Sequence, residues 1–313
     1  MFHFFIYGVK IYIFAKKVTT HATKGRYNTT KNTAVIIFPN AKINLGLNIV
    51  SKREDGYHNI ETVFYPVKGL CDIIEYRESR TGETSLDMGG IKIDSTQDDN
   101  LVFKAYKLLA EEHKIPALDI MLRKNIPSGA GLGGGSADAA FMLTALNDEY
   151  GLGINEDAIC KKAAVLGSDC AFFTLNKPVF ASGRGEIFSP VSLDLSGYKI
   201  VIVKSDDFVS TKEAYANCKP QSPAASIKDI LKTPIEEWKN NLVNDFEKSV
   251  FTTHPEVKRI KERLYSEGAL YASMSGSGAS VFGIFSKETD ENELFRRMKS
   301  QMPTYFVFCE TLE

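Results

Sequence analysis

The amino-acid sequence predicts an α+β protein built from two domains, and three observations predict it. The chain has 313 residues, with 43% hydrophobic and 25% charged residues, close to globular averages and long enough for two ordinary domains. Its strand-like and helix-like segments come in groups rather than in strict βαβ alternation. A glycine-rich loop stands between a strand pattern and a helix pattern near the middle of the chain, where "IPSGAGLGGGSADAA" spans residues 126–140. Residues 1–34 are expected to be a poorly ordered N-terminal extension, and the remaining chain to divide into domains at 35–188 and 189–313.

The elements read in order as follows. "MFHFFIYGVKIYIFAKK" is apolar, but Lys10 interrupts it and no basic residue precedes it, which is the wrong charge order for a signal peptide or anchor. From Ala34 the text is β-rich, with Ile43, Leu45, Leu47 and Ile49 alternating against Lys42, Asn44, Gly46 and Asn48. The turn cluster "SKREDGYHN" and the returning strand "IETVFYPV" complete a hairpin. "CDIIEYRES" and "GGIKID" are strand candidates either side of a polar loop, "RTGETSLDM". Apolar residues at Leu101, Val102, Ala105, Leu108 and Leu109 have a helical period, with Asp98 or Asp99 placed to cap it. "ALDIMLRKNIP" is a strand, "SADAAFMLTALNDEYG" a helix, and "NEDAICKKAAVLG" a helix with Gly167 as its C-cap. In the second half "YKIVIVKS" is a strand, and Ser210 and Glu213 have capping-box spacing before a helix. Helical text broken by Pro234 and Pro255 follows, then strand, glycine turn and strand in "ALYASMSGSGASVFGIFS", a helix in "NELFRRMKSQM", and the closing strand "YFVFCETL".

A formal net charge of −1 supplies no bulk field for nucleic acid or an anionic membrane, so any phosphate chemistry must rest on local groups. Five cysteines without a CxxC pair suggest a reduced, cytoplasmic chain with no zinc site and no disulfide framework. No apolar run is long enough to span a membrane.

Five glycines within the seven positions 129–135 cost conformational entropy that a simple turn does not require. An anion offsets that cost, because glycines let backbone N–H groups converge on it and the following helix adds its positive N-terminus. Gly129, Gly131 and Gly134 fit the spacing of a dinucleotide fingerprint, but no acidic residue stands at a second strand end. No Gly-Lys-[Ser/Thr] closes the loop, so it is not a Walker A loop either. Ser136 offers a hydroxyl to a phosphate oxygen or a magnesium ion.

"PSGAGLGGGSADAA" resembles the central signature of the GHMP small-molecule kinases. "PNAKINLGL" (39–47) resembles the first motif of that superfamily and "SMSGSGASVFGIF" (273–285) its third glycine-rich motif, all in the expected order. Within the superfamily, "AKINLGLNIVSKREDGYHNIETVFYPV", "GLGGGSADAA", "LGSDCAFF" and "SGRGE" are similar to the family of 4-diphosphocytidyl-2-C-methyl-D-erythritol kinases. The likeness implies the two-domain GHMP-kinase fold, with an ATP-binding N-terminal domain over 35–188, a C-terminal domain over 189–313 and the active site in the cleft between them. It implies ATP as co-substrate with Mg²⁺, and transfer of phosphate to the 2-hydroxyl of a cytidyl diphosphate sugar alcohol, a small-molecule substrate. The sequence leaves monomer and homodimer both open.

The resemblance also implies residue roles. Asp169 stands as the catalytic carboxylate, and Lys42 beside it would stabilise developing negative charge. Asn44, two residues on and hence on the same face of the strand, would contact the acceptor or orient Asp169. Pro127, Ser128, Gly129, Ala130, Gly131, Leu132, Gly133, Gly134, Gly135, Ser136 and Ala137 would cradle the ATP phosphates. Asn100 and Lys124 match positions near the adenine, although a helix cap explains Asn100 equally well. Tyr57 and His58 would form the cytidine pocket, with Tyr215 as a second aromatic wall or a packing residue and Thr211 as a polar contact. Gly276, Ser277 and Gly278 would line the cleft beside the substrate phosphates. Arg184 in "SGRGE" reads as a structural ion pair with Glu186 or another acid. No metal-ligand set belonging to the protein itself is visible. The rival readings are a homoserine or mevalonate kinase on the same fold, against which "DGYH" speaks, and a non-catalytic nucleotide-binding protein. Retention of Lys42, Asp169 and the loop together argues against the second.

Overall fold

Two alternating strands carry the site, and their pairing sets the rest of the architecture. A computed structural model describes residues 34–93, 95–216 and 218–313, together with two short strands near the start of the chain. Those two, β1 (His3–Ile6) and β2 (Val9–Tyr12), pair antiparallel in a unit of their own over Met1–Thr33. The rest of the stretch expected to be a poorly ordered extension lies, apart from Ala34, outside the described residues.

The unit Ala34–Glu313 contains three four-stranded sheets. The first has the order β10-β9-β5-β4, formed by β4 (Asn40–Lys52), β5 (His58–Cys71), β9 (Val179–Ser182) and β10 (Ile187–Pro190). The second has the order β3-β6-β8-β7, formed by β3 (Val35–Ile37), β6 (Ile73–Glu78), β7 (Ser85–Gly90) and β8 (Leu118–Lys124). The third has the order β12-β13-β11-β14, formed by β11 (Lys199–Lys204), β12 (Tyr271–Met274), β13 (Val281–Phe285) and β14 (Phe306–Thr311).

The helices cover the outer faces. Helices α1 (Leu101–Ala110), α2 (Gly134–Glu149) and α3 (Glu156–Leu166) bury Val102, Leu109, Met142, Leu146 and Ala163 against Ile74, Ile120 and Leu122 of the second sheet. The short α4 (Cys170–Leu175) adds Phe172 and Phe173 to a small aromatic cluster with Phe64. After β11 come α5 (Thr211–Ala216), α6 (Ile227–Ile230), α7 (Trp238–Asn241) and α8 (Glu247–Thr253). Helices α9 (Pro255–Ser266) and α10 (Glu291–Gln301) pack Ile260, Leu264, Leu294 and Met298 on Val201 and Val203 of the third sheet. Pro255 opens α9, where its missing N–H costs nothing.

The β4–β5 hairpin follows the alternation read from the sequence, with one irregularity that matters. Ile43 and Leu45 join one apolar cluster with Ile200, Ile202, Tyr271 and Phe282, whereas Leu47 and Ile49 join another with Val201 and Val203. The pairing register shifts between Leu45 and Leu47, at Gly46, whose φ of +66° suits glycine. A Cβ there would come within 2.7 Å of a Leu242 methyl. The bulge lets one strand serve two cores.

Three local expectations need correction. The strand after β6 is Ser85–Gly90, not "GGIKID", and it runs parallel to β8 as a sheet edge. Leu86 and Met88 alternate inward between exposed neighbours, a short pattern that the polar text around it hides. Asn100, not Asp98 or Asp99, caps α1, its Oδ1 accepting the Val102 N–H at 2.9 Å. Asp98 instead takes the Lys107 ammonium, and Asp99 the Thr96 hydroxyl. The capping box at α5 is half formed: the Ser210 hydroxyl accepts the Glu213 N–H at 3.1 Å, while the Glu213 carboxylate turns to His254.

Near the C-terminus, the Glu310 side chain folds in toward Gly69 at the end of β5, and its Oε1 is buried with no hydrogen-bond partner among the described residues. Burial pushes its carboxyl up to about 8, against a hydrogen bond from the Gly69 N–H and with help from Glu291 and Glu313. A carboxyl raised on folding contributes stability that is complete below its unfolded pKa and is lost as pH rises through its folded pKa. Glu310→Gln is therefore expected to melt like the parent at pH 4 and progressively higher than it as pH rises toward 8. The upper bound on that gain is about 1.4 kcal/mol per pH unit. Parallel thermal melts from pH 4 to 9 check this, and a constant difference between the two proteins would contradict it.

Candidate active site

The glycine loop joins β8 to α2, and its backbone is shaped by what surrounds it. Gly129, Gly131 and Gly133 have φ of +59°, +72° and +73°, where a side chain is strained. A Cβ at Gly131 would strike the Ser275 carbonyl, and one at Gly133 would sit 2.8 Å from the Phe173 ring. Gly134 has Ile126 at 3.0 Å, whereas Gly135 has room. Gly133 occupies the N-cap position of α2 and brings no side chain to cap it, and no acid stands in the first turn. The N–H groups of that turn, which have no partners within the helix, and its positive end remain free for an anion.

Lys42 is the centre of the site. Its side chain is 3% exposed, and its ammonium donates to Asn44 Oδ1 at 2.7 Å and to the Gly131 carbonyl at 2.9 Å. It lies 3.3 Å from Asp169 Oδ2 and 5.1 Å from the centroid of the Phe64 ring. Asp169 stands at the N-cap position of α4 but makes no capping hydrogen bond, and its side chain is 35% exposed. The carboxylate is thus held by Lys42 on one side and open to the cleft on the other. Asn44 passes its amide N–H₂ to Thr62 Oγ1 at 3.0 Å, and Thr62 donates on to the Gly46 carbonyl at 2.6 Å. Asn44 therefore fixes Lys42 in place.

A cleft of about 980 Å³ connects these groups with the expected acceptor side. It is lined by Lys42, Asn44, Asp169 and Ser136, by Gly129, Gly131 and Gly133, by Tyr57, His58, Thr211 and Tyr215, and by Gly276 and Ser277. Thr211 and Ser277 hydroxyls meet at 3.3 Å. The His58 and Tyr215 rings stack on each other, 4.7 Å between centroids at 15°, with Phe246 edge-on to Tyr215 at 4.8 Å. Burial, with Asp169 nearby, pushes the Tyr215 hydroxyl up to about 12, and burial followed by the Lys52 charge lowers His58. Tyr57 is exposed, on a turn where its N–H donates to Asp55 Oδ1 at 3.0 Å. Arg184 pairs with Glu186 at 3.7 Å, as read from the sequence, but its guanidinium also lies 5.1 Å over the Tyr57 ring.

The structure does not bring every candidate to this cleft. Pro127, Ser128, Ala130, Leu132, Gly134, Gly135, Ala137 and Gly278 are outside its lining, with Ala130, Leu132 and Ala137 packed into apolar clusters. The Asn100 side chain is spent on the helix cap. The Lys124 ammonium is buried between Asp72 and Asp138 and does not reach the adenine side as a free cation. Sequence reasoning also missed residues. Phe208 is exposed on the loop after β11, close enough that a Cβ on Gly129 would come within 2.7 Å of its ring. An aromatic residue amid the acids of "SDDFVS" was the available signal. Asn244 donates to the Met274 and Gly276 carbonyls at 2.8 and 2.9 Å and holds the third glycine turn. Nothing in the local sequence marked it.

Among the described residues no group of three or more His, Cys, Asp or Glu could hold a metal ion. The Asp169 carboxylate and Ser136 hydroxyl both line the cleft, however, and hard oxygen donors of this kind suit Mg²⁺ completed by phosphate and water.

Comparison with known proteins agrees with this arrangement. The family model described as GHMP kinases N terminal domain matches residues 100–177, and that described as GHMP kinases C terminal matches residues 226–304. The 4-diphosphocytidyl-2-C-methyl-D-erythritol kinase of Bacteroides fragilis is 56% identical over 256 residues, 81% of this chain and 93% of the relative. That of Porphyromonas gingivalis is 47% identical over 253 residues, 80% and 92% of the two chains. A crystal structure of 4-(cytidine 5'-diphospho)-2C-methyl-D-erythritol kinase superposes with a TM-score of 0.74 at 29% identity, covering 88% of this chain and 98% of the other. Homoserine kinase from Cytophaga hutchinsonii shares the fold at a TM-score of 0.69 and 16% identity, covering 92% of this chain and 98% of its own. A buried lysine paired with a cleft-facing aspartate beside a glycine loop, on this fold and at this identity, means that the chain belongs to the 4-diphosphocytidyl-2-C-methyl-D-erythritol kinase family of the GHMP kinases.

Proposed function

We propose that the protein transfers the γ-phosphate of ATP to the 2-hydroxyl of 4-diphosphocytidyl-2-C-methyl-D-erythritol, giving the 2-phosphate and ADP in the non-mevalonate route to isoprenoid precursors. The observation that carries this reading is the Lys42–Asp169 pair, 3.3 Å apart, in one cleft whose lining also includes Ser136 from the first turn of α2, Tyr57 and His58. In this reading 35–188 serves as the ATP-binding domain and 189–313 as the C-terminal domain, and one family model falls within each. The five cysteines are all free, in keeping with a cytoplasmic enzyme.

Phosphoryl transfer asks the protein for positioning and charge stabilisation more than for covalent chemistry. Asp169 accepts the proton of the acceptor hydroxyl, whose oxygen bonds to the γ-phosphorus as the bond from that phosphorus to the β,γ-bridging oxygen breaks. The electron pair of the broken bond leaves on ADP. Lys42, fixed by Asn44 and the Gly131 carbonyl, faces the negative charge that develops between the two oxygens without having to reorganise. The glycine loop and the first turn of α2 direct N–H groups at the phosphates. Mg²⁺, with the Ser136 hydroxyl as a protein oxygen able to contact it, would neutralise phosphate charge. On the acceptor side Tyr57, His58 and Tyr215 offer flat rings to the pyrimidine.

Release of ADP with diphosphocytidyl-methylerythritol, homoserine or mevalonate offered separately tests the reading, which requires turnover of the cytidyl substrate and not of the others. Asp169→Asn is expected to lower kcat by about 10²–10⁴-fold with ATP binding little changed. Near-parental turnover would remove Asp169 from the proton-accepting role. Tyr57→Ala should raise KM for the cytidyl substrate and leave KM for ATP alone; a rise in both would point to a disturbed fold.

A further inference from the structure

Beneath the glycine loop, away from the cleft, three ionisable side chains meet in the core. Asp72 occupies the single position between β5 and β6 and is fully buried; Lys124 ends β8 and is 4% exposed; Asp138 lies in the second turn of α2 and is 2% exposed. The Lys124 ammonium donates to Asp72 Oδ2 and, at 2.5 Å, to Asp138 Oδ2. Asp72 Oδ1 accepts the N–H groups of Asn125 and Ile126 at 2.6 and 2.9 Å. Asp138 Oδ1 is buried with no partner among the described residues.

This is a costly arrangement. Burying three charged groups loses far more hydration than a well-packed apolar trio would, and such clusters stabilise little on balance. Two carboxylates also face a single ammonium. Burial pushes the Asp138 carboxyl well up, opposed by Lys124 and reinforced by Asp72. Burial works against the Lys124 ammonium, but the two carboxylates outweigh it and raise its pKa. What the cluster gains for its cost is placement. Residues 124–126 are the stem by which the chain enters the glycine loop, and Asp138 is on the helix by which it leaves. A Cβ at Gly134, the first residue of that helix, would stand 3.3 Å from Asp72 Oδ2.

We infer that Asp72, Lys124 and Asp138 form a positioning device that clamps both stems of the glycine loop and so sets the loop for the ATP phosphates. None of the three touches the reacting atoms; each acts through the backbone it holds. The inference rests on the reading that the loop receives ATP, and the two can be tested apart. Hydrogen exchange of the full-length protein, with and without a non-hydrolysable ATP analogue, reads the loop amides directly, and steady-state kinetics separate the two substrates.

Asp138→Ala is expected to speed exchange over 126–136 and raise KM for ATP by about 10–10²-fold, up to the scale of a 1 Å misplacement at a site. KM for the acceptor should stay within about twofold of the parent's on that same scale. Asp138→Asn, which keeps the shape and an oxygen on Lys124, should recover most of the loss. A folded Asp138→Ala protein with parental exchange and parental KM for ATP would overturn the inference. Should the alanine variant fail to fold, the parent decides: the Asn125 and Ile126 amides must exchange as slowly as those within α2, and exchange at the rate of exposed turns refutes the clamp. If the analogue leaves the parent's loop amides unprotected, the ATP reading itself fails and the inference falls with it.

Discussion

A lysine ammonium cannot stay charged in a protein interior without acceptors around it, and the site is organised by how Lys42 finds them. They come from three separate segments: Asn44 two residues along its own strand, the Gly131 carbonyl in the loop, and Asp169 ahead of α4. Turning the Gly131 carbonyl toward the ammonium goes with a left-handed φ at that residue, and the Ser275 hydroxyl shares the same carbonyl at 2.8 Å. The three glycine-rich or strand motifs, distant in sequence, are thereby tied to one cation. A net charge of −1 over the chain hides this local order entirely.

Much of this order could be read before the structure was seen, because it depends on residue type at short spacing. The alternation around Lys42 and Asn44 put both on one face of a strand, and the cluster of glycines before a helix marked the loop that lines the cleft. What could not be read depends on contacts made across the fold. Lys124 stands directly beside the loop in sequence, and only the arrival of Asp72 and Asp138 in the core diverts it from the cleft. Asn100 was balanced between a cap and a ligand, and the spare N–H of Val102 decided it. The edge strand Ser85–Gly90 gains its identity from pairing with β8, which nothing within six residues of text can announce. Asn244 belongs to the same class: it matters because two carbonyls thirty residues away need a donor.

Asp138 and Glu310 illustrate different solutions to one problem. Asp138 shares the Lys124 ammonium with Asp72, within a closed group of three side chains. For Glu310 the Gly69 N–H and the Lys68 charge offset less than burial, Glu291 and Glu313 impose. The first couples two parts of the site; the second leaves a pH-sensitive weakness where the last strand meets β5.

The face-to-face pairing of His58 with Tyr215 has a consequence for selection among nucleotides. A planar base entering between those rings must part them first, forfeiting an interaction of about 0.5–1.5 kcal/mol before making two of its own. If it lies against Tyr57 instead, the pair stays intact as a rigid wall. In the first case every base owes the same opening cost, which weakens binding without telling one base from another. Discrimination then falls to the polar edge of the base, where an unmatched donor or acceptor is penalised without compensation.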